Sequence, residues 1–410
     1  MTEVGWSSNS VASIQEQQCS WPLIPLGELC SISAGGTPRR SQPECFGGGI
    51  PWVKIGDLTN DFVLQTEETL TDEGIANSSA KIFPIGTVLI SIFATIGRTS
   101  ILGIEAATNQ AIAGITPKNE SQLLPEYLKY ALDSKHAWLN RQARGVAQPN
   151  INSKILKSLL VPLPPIEEQR RIVDILKRAD SIRLLRKQAI DSARQLIPAL
   201  FIDMFGDPAT NPKGWPMRKV SDFVKKFEGG KNLKAGSDLP GHYRILKVSA
   251  VTSGVYIESE SKPAPDDYLP PEQHFVREGD LLFSRANTEA LIGATALVEK
   301  TNGRTLLPDK LWRFVWAEEV EPTYIHALFQ TPHVRRELSK LSSGTSASMR
   351  NISQAKLKDL TLPIAPLPEQ KIFADHVRQA QSIIRQQSTA LDISRCAFES
   401  LLTKLFSPVA

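Results

Sequence analysis

Cysteine is scarce in this 410-residue chain: Cys19, Cys30, Cys45 and Cys396 are the only four, none in a Cys-x-x-Cys pair. Three lie near the start and one near the end, which excludes a disulfide framework and fits a reduced, cytoplasmic setting. Histidine is sparse too, six in all without HxxxH or HExxH spacing, so no metal site is expected. No charge sign dominates, since 47 Lys and Arg against 43 Asp and Glu leave +4. That balance permits a nucleic-acid partner without requiring one. No apolar run is long enough for a bilayer; the most apolar stretch, 83–97, is broken by Gly, Ser and Thr and reads as a buried strand pair. The first twenty residues (1–20) are polar without a basic segment, and read as a tail rather than a secretory signal.

Catalytic signatures are missing as well. There is no Asn-Pro-Pro-Tyr or Asp-Pro-Pro-Tyr tetrapeptide of amino-methyltransferases, no GxxxxGK[ST] loop and no evident Ser-His-Asp arrangement. Glu260-Ser261-Lys262 has the ExK shape of a nuclease motif, but it falls in a Ser-, Glu- and Pro-rich stretch read as a loop, and is taken as coincidence. A non-catalytic chain with no cofactor is expected.

What is present is a repeat. Residues 150–205 match 351–406 without a gap: Asn150-Ile151 with Asn351-Ile352, Pro162 and Pro165 with Pro363 and Pro366, Glu168-Gln169 with Glu369-Gln370, and Phe205 with Phe406. Upstream, Trp21-Pro22 matches Trp215-Pro216, Gly35-Gly36 matches Gly229-Gly230, and the 86–89 stretch matches 279–282. Ile96-Gly97 matches Ile292-Gly293, and Pro125-Glu126-Tyr127 parallels Pro322-Thr323-Tyr324. Each copy is thus a variable part followed by a more similar segment. A partner of one kind is met twice by the similar segments, while the variable parts meet different targets.

Hydrophobic content of 41% supplies material for cores, and the length suggests two to three domains of about 150 residues. Runs 50–58, 87–93 and 244–251 read as strands, and 125–139 and 322–341 as amphipathic helices, giving an α+β unit. After the proline-rich starts at 162–169 and 363–370, with acidic residues suited to a helix N-terminus, apolar residues recur every three or four positions. The series are Ile172, Leu176, Ala179, Ile182, Leu185, Ala189, Ala193, Leu196 and Leu200, then Phe373, Val377, Ala380, Ile384, Leu391, Ala397, Leu401 and Leu405, lapsing at Gln387. They predict two long helices that pack together, about 60 Å each at about 1.5 Å per residue, with a kink at Pro198. Ile172, Leu176, Ala179, Ile182, Ala189, Leu196, Phe373, Val377, Ala380, Ile384, Leu391 and Leu401 are assigned to the seam.

The segment 201–208 (Phe-Ile-Asp-Met-Phe-Gly-Asp-Pro), then Asn211-Pro212-Lys213-Gly214-Trp215, resembles the central linker of type I restriction–modification specificity subunits. So does the Pro-Leu-Pro-Pro-Ile-Glu-Glu-Gln start at 162–169, echoed at 363–370, while the Gly35-Gly36-Thr37-Pro38 loop resembles the start of many target-recognition domains. The resemblance runs from Trp21 to Phe406. It implies target-recognition domains at 21–160 and 208–361, each reading half of a bipartite DNA site. Conserved helices at 161–207 and 362–410 would form an antiparallel coiled-coil ruler with pseudo-twofold symmetry. The implied partners are double-stranded DNA, two methyltransferase subunits that use S-adenosylmethionine, and restriction subunits, with no membrane. The second copy departs by having Gly229-Gly230-Lys231-Asn232 in place of Gly35-Gly36-Thr37-Pro38.

Cations on glycine-rich turns suit phosphates, and planar side chains suit base edges. The candidates are Arg39, Arg40, Lys54, Arg98, Arg141, Arg144 and Gln148 in the first copy. Lys231, Lys234, Lys247, Arg285, Asn287, Lys310 and Arg350 are those of the second. Asn109-Gln110 reads as a turn, and Trp52, Trp312 and Trp316 as core. Competing readings are a self-contained nuclease, a scaffold with a duplicated helical hairpin, and the recognition subunit of a related bipartite-target system.

Overall fold

A computed structural model describes residues 21–143, 150–238, 242–346 and 349–406. The chain divides into two compact units, one of residues up to Arg186 together with those from Thr389 onward, the other spanning Lys187 to Ser388. The domain limits expected from the repeat follow the chain, whereas these units cut across both long helices.

In the first unit a five-stranded sheet runs in the order Cys30–Ala34, Ile112–Pro117, Val88–Ser91, Thr99–Leu102, Phe62–Val63. A second sheet of four contains Glu68–Leu70, Phe46–Val53, Ala106–Thr108 and Ile82–Phe83. All four residues of the Val88–Ser91 strand are buried, because both its faces are covered. The two-residue period of a strand sends Val88 and Ile90 into the core with Tyr127 and Leu128, and Leu89 into a second core with Val53 and Leu58. The second unit repeats the plan, with a sheet ordered Val224–Gly229, Leu311–Trp316, Leu281–Ser284, Thr295–Leu297. There Leu281 and Phe283 face one core and Leu282 the other.

Several element limits differ from the sequence reading. The strand expected at 50–58 is Phe46–Val53, after which Asp57 accepts the Lys54 N–H and tightens a helical turn at Ile55–Asp57. In 244–251 the strand ends at Leu246 and a short helix follows at Ser249–Thr252, because a short apolar run fits either period. The helix expected at 322–341 is Pro322–Gln330 and Pro332–Leu341; Pro332 drives Thr331 out of the helical region. Likewise 125–139 is Pro125–Ser134 followed by His136–Gln142.

The long helices are Ile166–Phe205 and Leu367–Phe406, 40 residues each, the first continuous through Pro198. Each begins in one unit and ends in the other. In the first unit Ile172 and Leu176 share a core with Leu402, Leu405 and Phe406. In the second, the rings of Phe201 and Phe205 lie 5.7 and 5.5 Å from that of Phe373. Aromatic contacts of this kind add to the free energy of burial.

Two expected seam residues are corrected. Ala189 and Leu196 are exposed, as is Leu185. The inward positions are Ile172, Leu176, Ala179, Arg183, Arg186, Ile190, Ala193 and Ile197, an alternation of four and three. Two arginines carry the register where an apolar count finds nothing, so the count slides by one residue. Arg183 fits there because its guanidinium lies 4.7 Å from the Phe398 ring centroid. Ile182 is half-buried beside it. In the second helix Phe373, Val377 and Ala380 are buried and Ile384, Leu391 and Leu401 half-buried, with Gln387 and Ser394 continuing the register.

The same fasteners close each globular part onto its helix. The Gln169 amide accepts from Leu124 N–H at 2.9 Å and donates to Gln122 O and Pro164 O at 2.7 and 3.0 Å. Gln370 accepts from Glu321 N–H at 3.0 Å and donates to Ala365 O at 2.7 Å. Tyr127 and Tyr324 donate to Pro162 O and Pro363 O at 2.8 and 3.2 Å. These buried bonds account for the repeated glutamine and tyrosine positions, since a buried polar group without a partner is costly.

Candidate nucleic-acid interface

Each unit gathers three loops. The first is the double glycine. A Cβ on Gly36 would lie 2.3 Å from Ala80 N, and one on Gly230 only 1.6 Å from Leu307 O, so both backbones run where no side chain fits. Gly36 N–H donates to Thr108 O and Gly230 N–H to Pro308 O, at 2.9 and 3.0 Å. Despite the different residues that follow, the second glycine of both pairs is held against the same part of the sheet.

The second is the turn these glycines touch. Asn109 accepts from Ala111 N–H at 3.1 Å, and Gln110 bonds the Thr37 hydroxyl. The third is the loop after the central strand. Gly97 and Gly293 have φ of +85° and +73° and donate to Ser91 O and Ser284 O, while Ile96 and Ile292 anchor the loops in the cores. The repeated Ile-Gly is therefore a buried anchor followed by a left-handed hinge. A side-chain donor from the second helix of each pair holds this loop: Asn140 to Ile96 O at 3.3 Å, and Arg335 to Ala290 O at 3.0 Å.

The sequence candidates fall into three groups. Arg39, Arg98, Arg141, Lys231, Lys234 and Lys247 are exposed and Lys310 half-exposed, and the structure gives none of their side chains an ion pair with a described residue. A second group is tied down. Arg40 forks onto Glu68 at 2.7 Å and lies 4.7 Å from the Phe46 ring centroid; Lys54 meets Glu67 and Glu68 at 2.8 and 2.7 Å. Hydrogen bonds from Arg40 and then Lys54 hold the Glu68 carboxyl down at about 2. Arg285 donates to Asp309 O at 2.7 Å, and Arg350 pairs with Glu289 at 3.0 Å. Asn287 accepts from Thr288 N–H at 2.8 Å and sits opposite Arg350 in a strand ladder. Arg144 and Gln148 lie outside the described residues.

Trp52 and Trp312 are buried, Trp52 donating to Gly36 O at 3.1 Å, and Trp316 is half-buried against Phe314. Glu260 and Lys262 make no metal-binding pair: Glu260 accepts from the Ser249 hydroxyl, and Lys262 donates to Leu233 O from a Ser261–Pro263 strand rather than a loop. Among the described residues no group of three His, Cys, Asp or Glu is placed to hold a metal, and no helix is long and apolar enough to cross a membrane. Arg335 escaped the sequence reading. Its only signal was a polar residue beside the buried Val334 and Leu338 of an amphipathic helix.

The class these features define is a duplicated recognition protein, with cation-bearing, glycine-shaped loops on each of two like units. A family model described as "Type I restriction modification DNA specificity domain" matches residues 20–193. The type I restriction enzyme MjaIX specificity subunit of Methanocaldococcus jannaschii is 28% identical, over 58% of this chain and 60% of that protein. The MjaVIII specificity subunit of the same organism is 22% identical over 89% of this chain and 87% of its own. The EcoKI specificity subunit of Escherichia coli is 22% identical over 94% and 88%. The S subunit of a type I system from M. genitalium shares the fold, with a TM-score of 0.54 at 14% identity over 95% of this chain and 97% of that one. A chain from a structure of type I R-M complex assembly and conformational transition gives 0.60 at 20% identity, over 95% and 98%. Along most of its length the chain is thus similar to the specificity subunits of type I restriction–modification systems.

Proposed function

We propose that the chain reads a bipartite DNA target, each half by one globular part (21–160 and 208–361), and that it does so in the cytoplasm. The two shared long helices (161–207 and 362–410) serve as an antiparallel, pseudo-twofold spacer and as the platform for two methyltransferase subunits that use S-adenosylmethionine, and for restriction subunits. Shortening or lengthening the helices should then alter the spacer, not the half-sites. The observation that carries this reading is the duplicated three-loop surface. Its backbone devices are the same in both units, while the side chains mounted on it differ. Arg39, Arg98 and Arg141 of the first and Lys231, Lys234, Lys247 and Lys310 of the second are the phosphate contacts. Arg40, Lys54, Arg285 and Asn287 are pre-shaped by their own partners and serve direct readout; Arg144, Gln148 and Arg350 complete the set. A hybrid chain tests the division of labour: 208–361 is exchanged for the corresponding part of another specificity subunit. Methylation by the assembled complex should change at one half-site and persist at the other. A change at both, or at neither, contradicts the reading.

A further inference from the structure

Resting on that reading, we propose that Arg335 and Arg350 form a clamp for one DNA backbone phosphate beside the half-site of the second unit, with Glu289 as the group that the phosphate displaces. The two guanidiniums grip consecutive residues of one exposed loop. Arg335 Nη2 donates to Ala290 O, and Arg350 Nη2 meets the Glu289 carboxylate, both at 3.0 Å. Each also keeps a buried nitrogen, Nη1 of Arg335 and Nε of Arg350, with no acceptor among the described residues. Buried donors are nearly always bonded, so two left open at one loop mark a place where an acceptor belongs. Arg335 pairs with no carboxylate among the described residues, and burial pulls its pKa below the ordinary value.

The chemistry favours a phosphate over a base edge. Reading guanine takes two coplanar N–H groups of one guanidinium. Here Nη2 of each guanidinium is already engaged, by Ala290 O and by Glu289, and a buried nitrogen on each of two different arginines is left without an acceptor among the described residues. A phosphate has several acceptor oxygens and accepts from both. The loop is rigid enough to hold that geometry: Ile292 is fully buried, and Ile292 and Gly293 donate to Thr288 O and Ser284 O at 2.9 and 2.8 Å. Glu289 and Ala290 are exposed and both arginine side chains are half-buried, so a phosphate that displaces Glu289 reaches the guanidiniums from the loop's outer side. Glu289 is an exposed carboxylate already paired with Arg350, so it competes with DNA for that guanidinium.

The test is fluorescence anisotropy of the full chain with a mixed-sequence duplex over roughly 50 to 300 mM salt. Arg335→Ala and Arg350→Ala should each weaken binding about ten-fold and lower the slope of log K against log salt by about 0.9. The double variant should lower it no further, since both serve one phosphate; independent surface charges would give about 1.8. Glu289→Gln should tighten binding. It leaves the Arg335 tether intact, so it decides the matter if Arg335→Ala does not fold. An unchanged slope in the arginine variants, or unaltered or weaker binding by Glu289→Gln, overturns the clamp while wild-type binding stands. Absence of salt-dependent binding by the wild type overturns the DNA-reading function itself.

Discussion

Replacing Arg313 by Met should cost the second unit about 3 to 5 kcal/mol at neutral pH, the usual consequence of removing one partner from a buried ion pair. The guanidinium is 5% exposed and donates to Glu228 at 2.6 Å, Asp280 at 3.1 Å, and the carbonyls of Phe275 and Gln273 at 2.9 Å each. Methionine fills much of the volume and answers none of these four acceptors. For a unit of about 200 residues, each kcal/mol moves the midpoint by about 2–4 °C, so calorimetry should record a loss of roughly 6–20 °C. The pH dependence has a definite sign. Hydrogen bonds from Lys226 and Arg313 hold the Glu228 carboxyl below its ordinary value, so this stabilisation exists above the unfolded pKa and fades as pH falls. Burial outweighs the cations at Asp280 and raises its pKa, so in the variant that carboxyl protonates first. The gap between wild type and variant should therefore narrow towards pH 4. Adding Glu228→Gln and Asp280→Asn should recover most of the loss. A midpoint shift under about 2 °C at pH 7, or a gap that widens on acidification, would refute the reasoning.

Three further outcomes follow from particular contacts. Gly230→Ala places a methyl 1.6 Å from Leu307 O, so binding to the half-site of the second unit should fall while the other half-site is retained in competition assays. Arg39→Ala should lower the salt slope of DNA binding by about 0.9, whereas Lys54→Met, whose ammonium is already paired twice, should leave it nearly unchanged. Glu68, lowered from 4.5 to about 2, contributes stability present above 4.5 and lost as pH falls towards 2. Urea unfolding across that window should show a shallower pH slope in Glu68→Gln, and an identical slope would remove the Arg40–Glu68–Lys54 network from the account.

The repeat made much of the fold legible. Trp-Pro, Gly-Gly, Ile-Gly, Pro-x-Tyr and Glu-Gln recur because each is a backbone or packing device: Leu163 and Ile364 N–H both bond the proline carbonyl of the Trp-Pro pair, at 3.0 Å. The long helices announced themselves by period. What the sequence hid were cases where chemistry and position part company. Arg183 and Arg186 occupy inward positions that an apolar count skips, so Ala189 and Leu196 were placed wrongly. Lys54 and Arg40 read as loop cations, yet carboxylates 13 to 28 residues away engage them, and no local pattern foretells that. Arg335 stood concealed on an amphipathic helix because its loop partner Ala290 contributes only a carbonyl.

The central claim is that this chain chooses the DNA sequence its complex modifies. It is met most directly by mapping N6-methyladenine across the host genome, with and without the gene. One bipartite motif should lose methylation at both half-sites when the gene is deleted. An unchanged map in a host whose methyltransferase subunits are active would contradict it.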